Sequence, residues 1–203
     1  MRNRRRNFTL VELLVVIGII AILAGMLMAG IMYAPAKAQK AKAQAEITTL
    51  VNAIKQYEST YGVLPKHKTD ASVDELVDSD DYEDFIKMLQ GDPSGNYSEC
   101  NKRKIKFLDV VNNTPGEFPD PWEGKYVIYL DVAKSSEGSK DGDGKIEANI
   151  PGLPTDDLYA TVVIYSKGPD GKDASSDSVD NKDNVYSIPV LWDKKDNKFV
   201  ITH

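Results

Sequence analysis

Glu12 is the only side chain charged at neutral pH between Phe8 and Ala36. A carboxylate in hydrocarbon costs several kcal/mol or more, so it asks either for a cation or for a headgroup layer into which it can snorkel. A second concentration of acid lies near the other end of the chain. Between Ser166 and Ser187 the sequence places Asp170, Asp173, Asp177, Asp180 and Asp183 among Gly, Ser and Asn. Hard oxygen donors on a turn-rich backbone suit Ca²⁺, and the same composition also describes a solvated polar loop. A third stretch, Lys140-Asp141-Gly142-Asp143-Gly144-Lys145-Ile146-Glu147, looks like part of an EF-hand loop. With Asp141 and Asp143 as third and fifth ligands, Ser139 would be first and Ile150 twelfth, where a bidentate Glu belongs. Ile150 cannot ligate, so a tight Asp-Gly turn is the better expectation.

Other chemistry is thin. His67 and His203 are the only histidines, one among lysines and one terminal, and neither suggests a catalytic base or a metal site. No phosphate-cradling glycine loop or nucleophile motif occurs, so the chain is not expected to be an enzyme. The single cysteine, Cys100, cannot close an internal disulfide. It is expected on a polar surface loop, with no neighbouring base to activate it.

The elements that must position these groups follow from charge and periodicity. The 203 residues carry 25 Lys+Arg against 31 Asp+Glu, enough chain for one domain and an appendage. The first 50 residues hold a net charge of +5 and the rest −11. An acidic body repels phosphate backbones, which argues against nucleic acid as a partner. Leu13 to Ala36 contains no charge; as a helix it would reach roughly 36 Å, enough for a bilayer core of roughly 30 Å. Arg2, Arg4, Arg5 and Arg6 precede it, so the N-terminus should stay cytoplasmic and the body be exported. A cleaved secretory signal, with Ala36-Lys37-Ala38 as the cut, and a twin-arginine start at Arg5-Arg6-Asn7-Phe8 are competing readings. Neither accounts for Glu12 or for the helix that follows.

That helix is rich in Ala, Lys, Gln and Glu from Ala36 to Tyr61. Ile47, Leu50, Val51, Ile54, Tyr57 and Tyr61 recur every three or four residues, which predicts one apolar stripe. Pro35 should kink a helix running through both segments, and Gly62 and Pro65 should end it. Beyond it, Val73 to Leu89 predicts one or two short helices, and Ile105 to Val111 a strand. Strands are also predicted at Val127–Leu130 and Leu158–Ser166, then at Val185–Trp192 and 198–201 as a hairpin. The fold class expected is α+β, a long N-terminal helix on a small antiparallel sheet. Its divisions are a basic leader (1–7), a membrane helix (8–36), a stalk helix (37–62) and a globular body (63–203). Acidic loops fall at 135–150 and 166–187 of that body.

The run Asn7-Phe8-Thr9-Leu10-Val11-Glu12-Leu13-Leu14-Val15-Val16 resembles the cleavage and methylation motif of type IV pilins and of the pseudopilins of type II secretion. The resemblance implies that a prepilin peptidase cuts between Asn7 and Phe8, that the new Phe8 amine is methylated, and that Glu12 pairs with the Phe8 amine of a neighbouring subunit. The family usually carries Gly before the cut, and this sequence departs from it with Asn7. Two further segments are similar to the major pseudopilin in the same order: Leu50 to Tyr57 with Tyr61-Gly62-Val63-Leu64-Pro65, and Asp120-Pro121-Trp122 with Gly124 and Tyr126. There Glu123 is one residue more than the usual spacing, and residues 66–118 look like an insertion.

The resemblance also implies Ca²⁺ in the 166–187 loop, doing the stapling that a disulfide does in many type IV pilins. The matching positions are Lys167 through its carbonyl and Asp170 through its carboxylate, with Asp183, Asn184 and Ser187 further along and Asp180 as an added candidate. Its implied partners are copies of itself in a filament, the prepilin peptidase, an inner-membrane assembly platform and minor pseudopilins. The subunit would be a single-pass inner-membrane protein with a periplasmic body before it enters the pseudopilus. A type IV pilus subunit for adhesion, motility or DNA uptake, and a membrane-anchored calcium-binding module that never assembles, remain as alternatives.

Overall fold

The computed structural model describes residues 9–31, 34–66, 75–77, 80–111, 114–132, 142–146, 148–153, 158–174, 179–188, 190–193 and 198–201, with side chains outside the description at 27–31, 34, 75, 179–180, 190–193 and 198–200. The chain divides into two compact units, Met1–Gln39 and Lys40–His203.

The first unit is built on helix α1, Leu10–Ile31. Its large apolar side chains from Leu10 to Met26 are exposed on every side, Leu10 at 80% and Met26 at 71%. A helix apolar all round has no face suited to water and needs lipid or other helices about it. Among the described residues no helix is long and apolar enough to cross a membrane; the described side chains of α1 reach about 25 Å at 1.5 Å per residue, and the span expected over 8–36 extends beyond them. The described range of α2 begins at Ala34, and residues 32–33, which link it to α1 in sequence, lie outside the description.

The second unit takes α2 (Ala34–Tyr61) from Lys40 onward. Ile47, Leu50, Ile54 and Tyr57 of the expected stripe are buried together with Ala43 and Ala53, and Val51 and Tyr61 pack half-buried against the same core. Gly62 ends the helix at φ +77°, its N–H bonded to Glu58 O at 2.7 Å, a left-handed cap open to glycine at no steric cost.

The stripe packs on one face of a four-stranded antiparallel sheet of order β1-β2-β3-β4. Its strands are β1 (Glu75–Val77), β2 (Val127–Leu130), β3 (Val162–Ser166) and β4 (Val185–Tyr186). Register pairs Val127 with Tyr165, Glu75 with Leu130 and Tyr165 with Tyr186. Because side chains alternate across a strand, Ile128, Leu130, Val162, Ile164 and Val185 join the α2 core. Tyr129, Val163, Tyr165 and Tyr186 point the other way, into a second cluster with Ile146, Ile150 and Leu153. Both faces are covered, which is why every residue of β3 is buried.

Three sequence expectations are corrected. Val73 to Leu89 is not all helical, for Glu75–Val77 pairs with β2 as an edge strand and only α3 (Tyr82–Leu89) is helix; available pairing partners outweigh local propensity. Ile105 to Val111 is not a strand. Phe107 and Leu108 both donate their N–H to Leu89 O, at 2.8 and 3.0 Å, so these donors close the end of α3 and join no ladder. Val185–Trp192 is two strands in different sheets, since β5 (Val190–Asp193) pairs with β6 (Lys198–Ile201). Pro189, which has no N–H for a ladder, lies between them in sequence.

The 66–118 block is tied to α2 by polar groups as well as by packing. Tyr57 Oη donates to Cys100 O at 3.0 Å and Tyr61 Oη to Asn101 Oδ1 at 2.7 Å. Cys100 is half-buried against this core and not on an open loop. Asn101 is fully buried, and its Nδ2 donates to Met88 O and Ile105 O, both at 2.7 Å.

Candidate functional site

Asn7 and Phe8 lie outside the described residues, and the N-terminal site begins at Thr9. The Thr9 N–H and Oγ1–H each donate to Glu12 Oε2 at 2.8 Å, and Glu12 N–H returns a bond to Thr9 Oγ1 at 3.3 Å. This reciprocal pair is a capping box that satisfies otherwise orphaned donors at the start of α1. The carboxylate that looked like an isolated charge in an apolar run therefore has a local partner. Thr9-x-x-Glu12 before an apolar run is the sequence signature of such a box, a signal missed when Glu12 is read for its charge alone. Both bonds fall on Oε2, and Oε1 accepts none among the described residues.

The acidic loop leaves the end of β3 and returns at β4. Gly168, Pro169, Asp170 and Gly171 make the first turn directly after Lys167, and Val179–Lys182 forms a short 3-10 turn before β4. Asn181 closes the loop on Ala174, accepting from its N–H at 3.0 Å and donating to its carbonyl at 3.2 Å. Asp170 meets Asp183 through its N–H, which lies 3.4 Å from Asp183 Oδ2. Gly168, at φ +69°, leaves no room for a side chain, because a Cβ there would stand 2.7 Å from Asp183 O. The Lys167 side chain turns away from this point to pair with Asp173 Oδ2 at 3.0 Å, where Tyr165 Oη also donates at 2.8 Å. Burial works against ionisation of Asp173, but the bonds from Lys167 and Tyr165 prevail and hold its carboxyl below the ordinary value. Burial first, then the bond to Asp173, pushes the Tyr165 phenol well up.

Of the calcium candidates, then, Lys167, Asp170 and Asp183 are brought to one turn, and Asn184 follows directly. Asn184 is buried and its Nδ2 donates to Tyr186 Oη at 3.1 Å, yet its Oδ1 has no hydrogen-bond partner. Such an orphan acceptor is costly in a protein interior. Ser187 faces β3, with its Oγ accepting from Ile164 N–H at 3.0 Å and its own N–H donating to Ile164 O at 2.7 Å. Asp180 lies on the 3-10 turn with its side chain outside the description. Among the described residues no group of three or more His, Cys, Asp or Glu could hold a metal ion. Any site here must draw on carbonyl and amide oxygens as well as carboxylates.

Two buried aspartates organise these loops, Asp120 of the Asp-Pro-Trp segment and Asp131, which no sequence motif marks. Asp120 is 5% exposed; its Oδ1 accepts from Trp122 N–H at 3.0 Å and Gly124 N–H at 2.7 Å, and its Oδ2 from the buried Ser166 hydroxyl. Asp120 N–H and Gly124 O also pair at 2.9 Å, and the extra residue Glu123 is taken up at φ +68°. A groove of about 520 Å³ separates this Asp-Pro-Trp turn from the acidic loop, lined by Trp122, Lys125, Lys167 and Asp170 among others. Asp131 does the same for the other loop, accepting from Asp143 N–H at 3.1 Å and Gly144 N–H at 2.7 Å. Ile150 is buried in the second cluster, so the ligand position an EF-hand would need faces the core. Asp141, Glu147, His67 and His203 lie outside the described residues.

Comparison with known proteins bears on the whole arrangement. Residues 2–28 match a family described as the prokaryotic N-terminal methylation motif. The chain is 34% identical to type II secretion system core protein G of Escherichia coli (strain K12) over 123 residues, which is 56% of this chain and 83% of that protein. The protein of the same name from Aeromonas hydrophila is 35% identical over 121 residues, 55% of this chain and 83% of the relative. That from Dickeya chrysanthemi is 30% identical over 131 residues, 59% and 84% respectively. No solved structure matches.

Proposed function

The chain belongs to the family of type II secretion system core protein G, and we propose that it is a pseudopilus subunit released from its basic leader by cleavage between Asn7 and Phe8. It is a structural pseudopilin, and its relatives are structural pseudopilins and not enzymes. The observation that carries the finer reading is helix α1, apolar on every side and capped by a carboxylate whose described bonds all fall on one oxygen. Lipid suits such a helix before assembly, and neighbouring helices suit it afterwards. The open edge of Glu12 is then the acceptor for the Phe8 ammonium of the next subunit. In the membrane the helix crosses once, its arginines cytoplasmic and the body periplasmic. Partners are further copies of the chain, a prepilin peptidase, the inner-membrane assembly platform and minor pseudopilins.

The test is intact mass with N-terminal sequencing of the protein from its native membrane. A methylated Phe8 terminus is expected. A Met1 or Arg2 terminus on protein that still supports secretion would overturn the processing step.

A calcium ion in the 166–187 loop is part of the same proposal. Lys167 O, an Asp170 oxygen, an Asp183 oxygen and Asn184 Oδ1 would supply hard ligands, with water completing the six to eight that Ca²⁺ takes. The orphaned Asn184 Oδ1 supports it, since a cation gives that buried oxygen the partner it lacks. The bound ion would tie the end of β3 to the start of β4, a clamp where no disulfide can form.

A further inference from the structure

We propose that Asp120 and Ser166 are positioning residues for the calcium clamp, and that they act by setting the orientation of the Lys167–Gly168 peptide. The inference rests on the calcium reading above. It begins from an unbroken chain of hydrogen bonds. Gly168 N–H donates to Ser166 Oγ at 3.1 Å, and the Ser166 hydroxyl donates to Asp120 Oδ2. Asp120 is in turn fastened by the Trp122 and Gly124 N–H groups on its other oxygen. The first two links are buried and the bonds from Trp122 and Gly124 half-buried; Ser166 is fully buried and Asp120 nearly so.

The Gly168 N–H and the Lys167 carbonyl belong to one planar trans peptide, so they point in opposite directions. Anchoring the N–H on Ser166 therefore directs the Lys167 carbonyl away from Asp120. Gly168 then holds φ +69° beside Asp183, so close that an added Cβ would stand 2.7 Å from Asp183 O. The Lys167 ammonium is drawn off to Asp173 and does not compete for the space as a cation. A carboxylate at the far end of the chain also polarises it, Asp120 drawing on the Ser166 proton and Ser166 on the Gly168 proton. The Lys167 oxygen becomes a stronger donor to a cation. Buried groups that orient and tune a ligand in this way change metal affinity without touching the ion.

The arrangement explains why an Asp-Pro-Trp turn 46 residues away in sequence is fastened to the loop. Its carboxylate has no cation beside it among the bonds described; its partners are backbone N–H groups and one hydroxyl.

Full-length protein in detergent would be titrated with Ca²⁺ calorimetrically, and melted with Ca²⁺ and with chelator, for wild type, Ser166→Ala and Asp120→Asn. Affinity in Ser166→Ala should fall roughly 10- to 100-fold, and the rise in Tm that calcium gives should shrink. A merely structural role would lower Tm equally in both buffers and leave Kd unchanged, which would overturn the proposal. If wild type itself shows no calcium-dependent change, the calcium reading fails and the proposal with it. Should both variants fail to fold, amide exchange at Gly168 in calcium-free wild type decides. A protected amide supports a peptide set in advance, and free exchange refutes it.

Discussion

Glu12 has two roles that a pair of conservative substitutions can separate. Its Oε2 receives both Thr9 bonds of the capping box, while its charge is proposed to meet a neighbour's Phe8 ammonium. Thr9→Ala removes the hydroxyl, and with it one bond into Oε2 and the acceptor for Glu12 N–H. Losing an N-cap of this kind costs about 1 kcal/mol. Glu12→Gln keeps an acceptor at the third helical position, where Gln also serves a capping box, but removes the charge. An ammonium left without its partner in a dry interface costs about 3–5 kcal/mol, more than a hundredfold per subunit contact. Glu12→Ala removes both functions. Sheared-filament yield from cells, together with far-ultraviolet circular dichroism of the purified subunit in micelles, reads the two effects apart. Thr9→Ala should fray the helix start slightly and still assemble, whereas Glu12→Gln should keep its helix content and lose filaments. Wild-type filament yield from Glu12→Gln would refute the charge pairing, and loss of filaments from Thr9→Ala at full helix content would refute the local assignment of the cap.

Two further outcomes follow from the interior of the body. Asn101→Ala strips partners from Met88 O, Ile105 O, Ile105 N–H and Tyr61 Oη at once and should cost about 3 kcal/mol, given roughly 1–3 kcal/mol for each buried group left unpaired; a urea midpoint within error of wild type would contradict this. Burial raises the phenols of Tyr82, Tyr126 and Tyr165 above their usual range and that of Tyr186 to about 12. In the unfolded chain they ionise near pH 10, so the folded state binds more protons above that point and stability falls as pH rises. Each such phenol removes about 1.4 kcal/mol per pH unit there. Followed by the ring NMR signals of these four tyrosines, ionisation should therefore accompany unfolding, and ionisation of any of the four at full native dichroism would count against the burial described.

What could be read from the sequence was what depends on neighbours close in the chain. The uncharged run that becomes α1, the stripe from Ile47 to Tyr57, the Gly62 stop and the alternation of Tyr126, Ile128 and Leu130 are local patterns. Helix and strand periods impose those patterns on any segment that must bury one side. The capping box at Thr9 and Glu12 is equally local, since Thr-x-x-Glu before an apolar run is its sequence signature. The Asp-Pro-Trp turn was recognisable as a turn, but its reason was not, for the Asp120 carboxylate finds its hydroxyl partner on β3, far off in sequence. The same holds for Glu75–Val77, which is a strand because β2 offers an open edge, and for 105–111, whose donors at Phe107 and Leu108 were needed at the end of α3. It holds as well for the acidic loops. Composition placed the aspartates there, but only the fold decided that Asp170 and Asp183 meet, that Ile150 turns inward, and that the Asn184 oxygen is left without a partner. A buried polar group takes its partner from whatever the fold brings within about 3 Å, and that distance is measured in space and not along the chain.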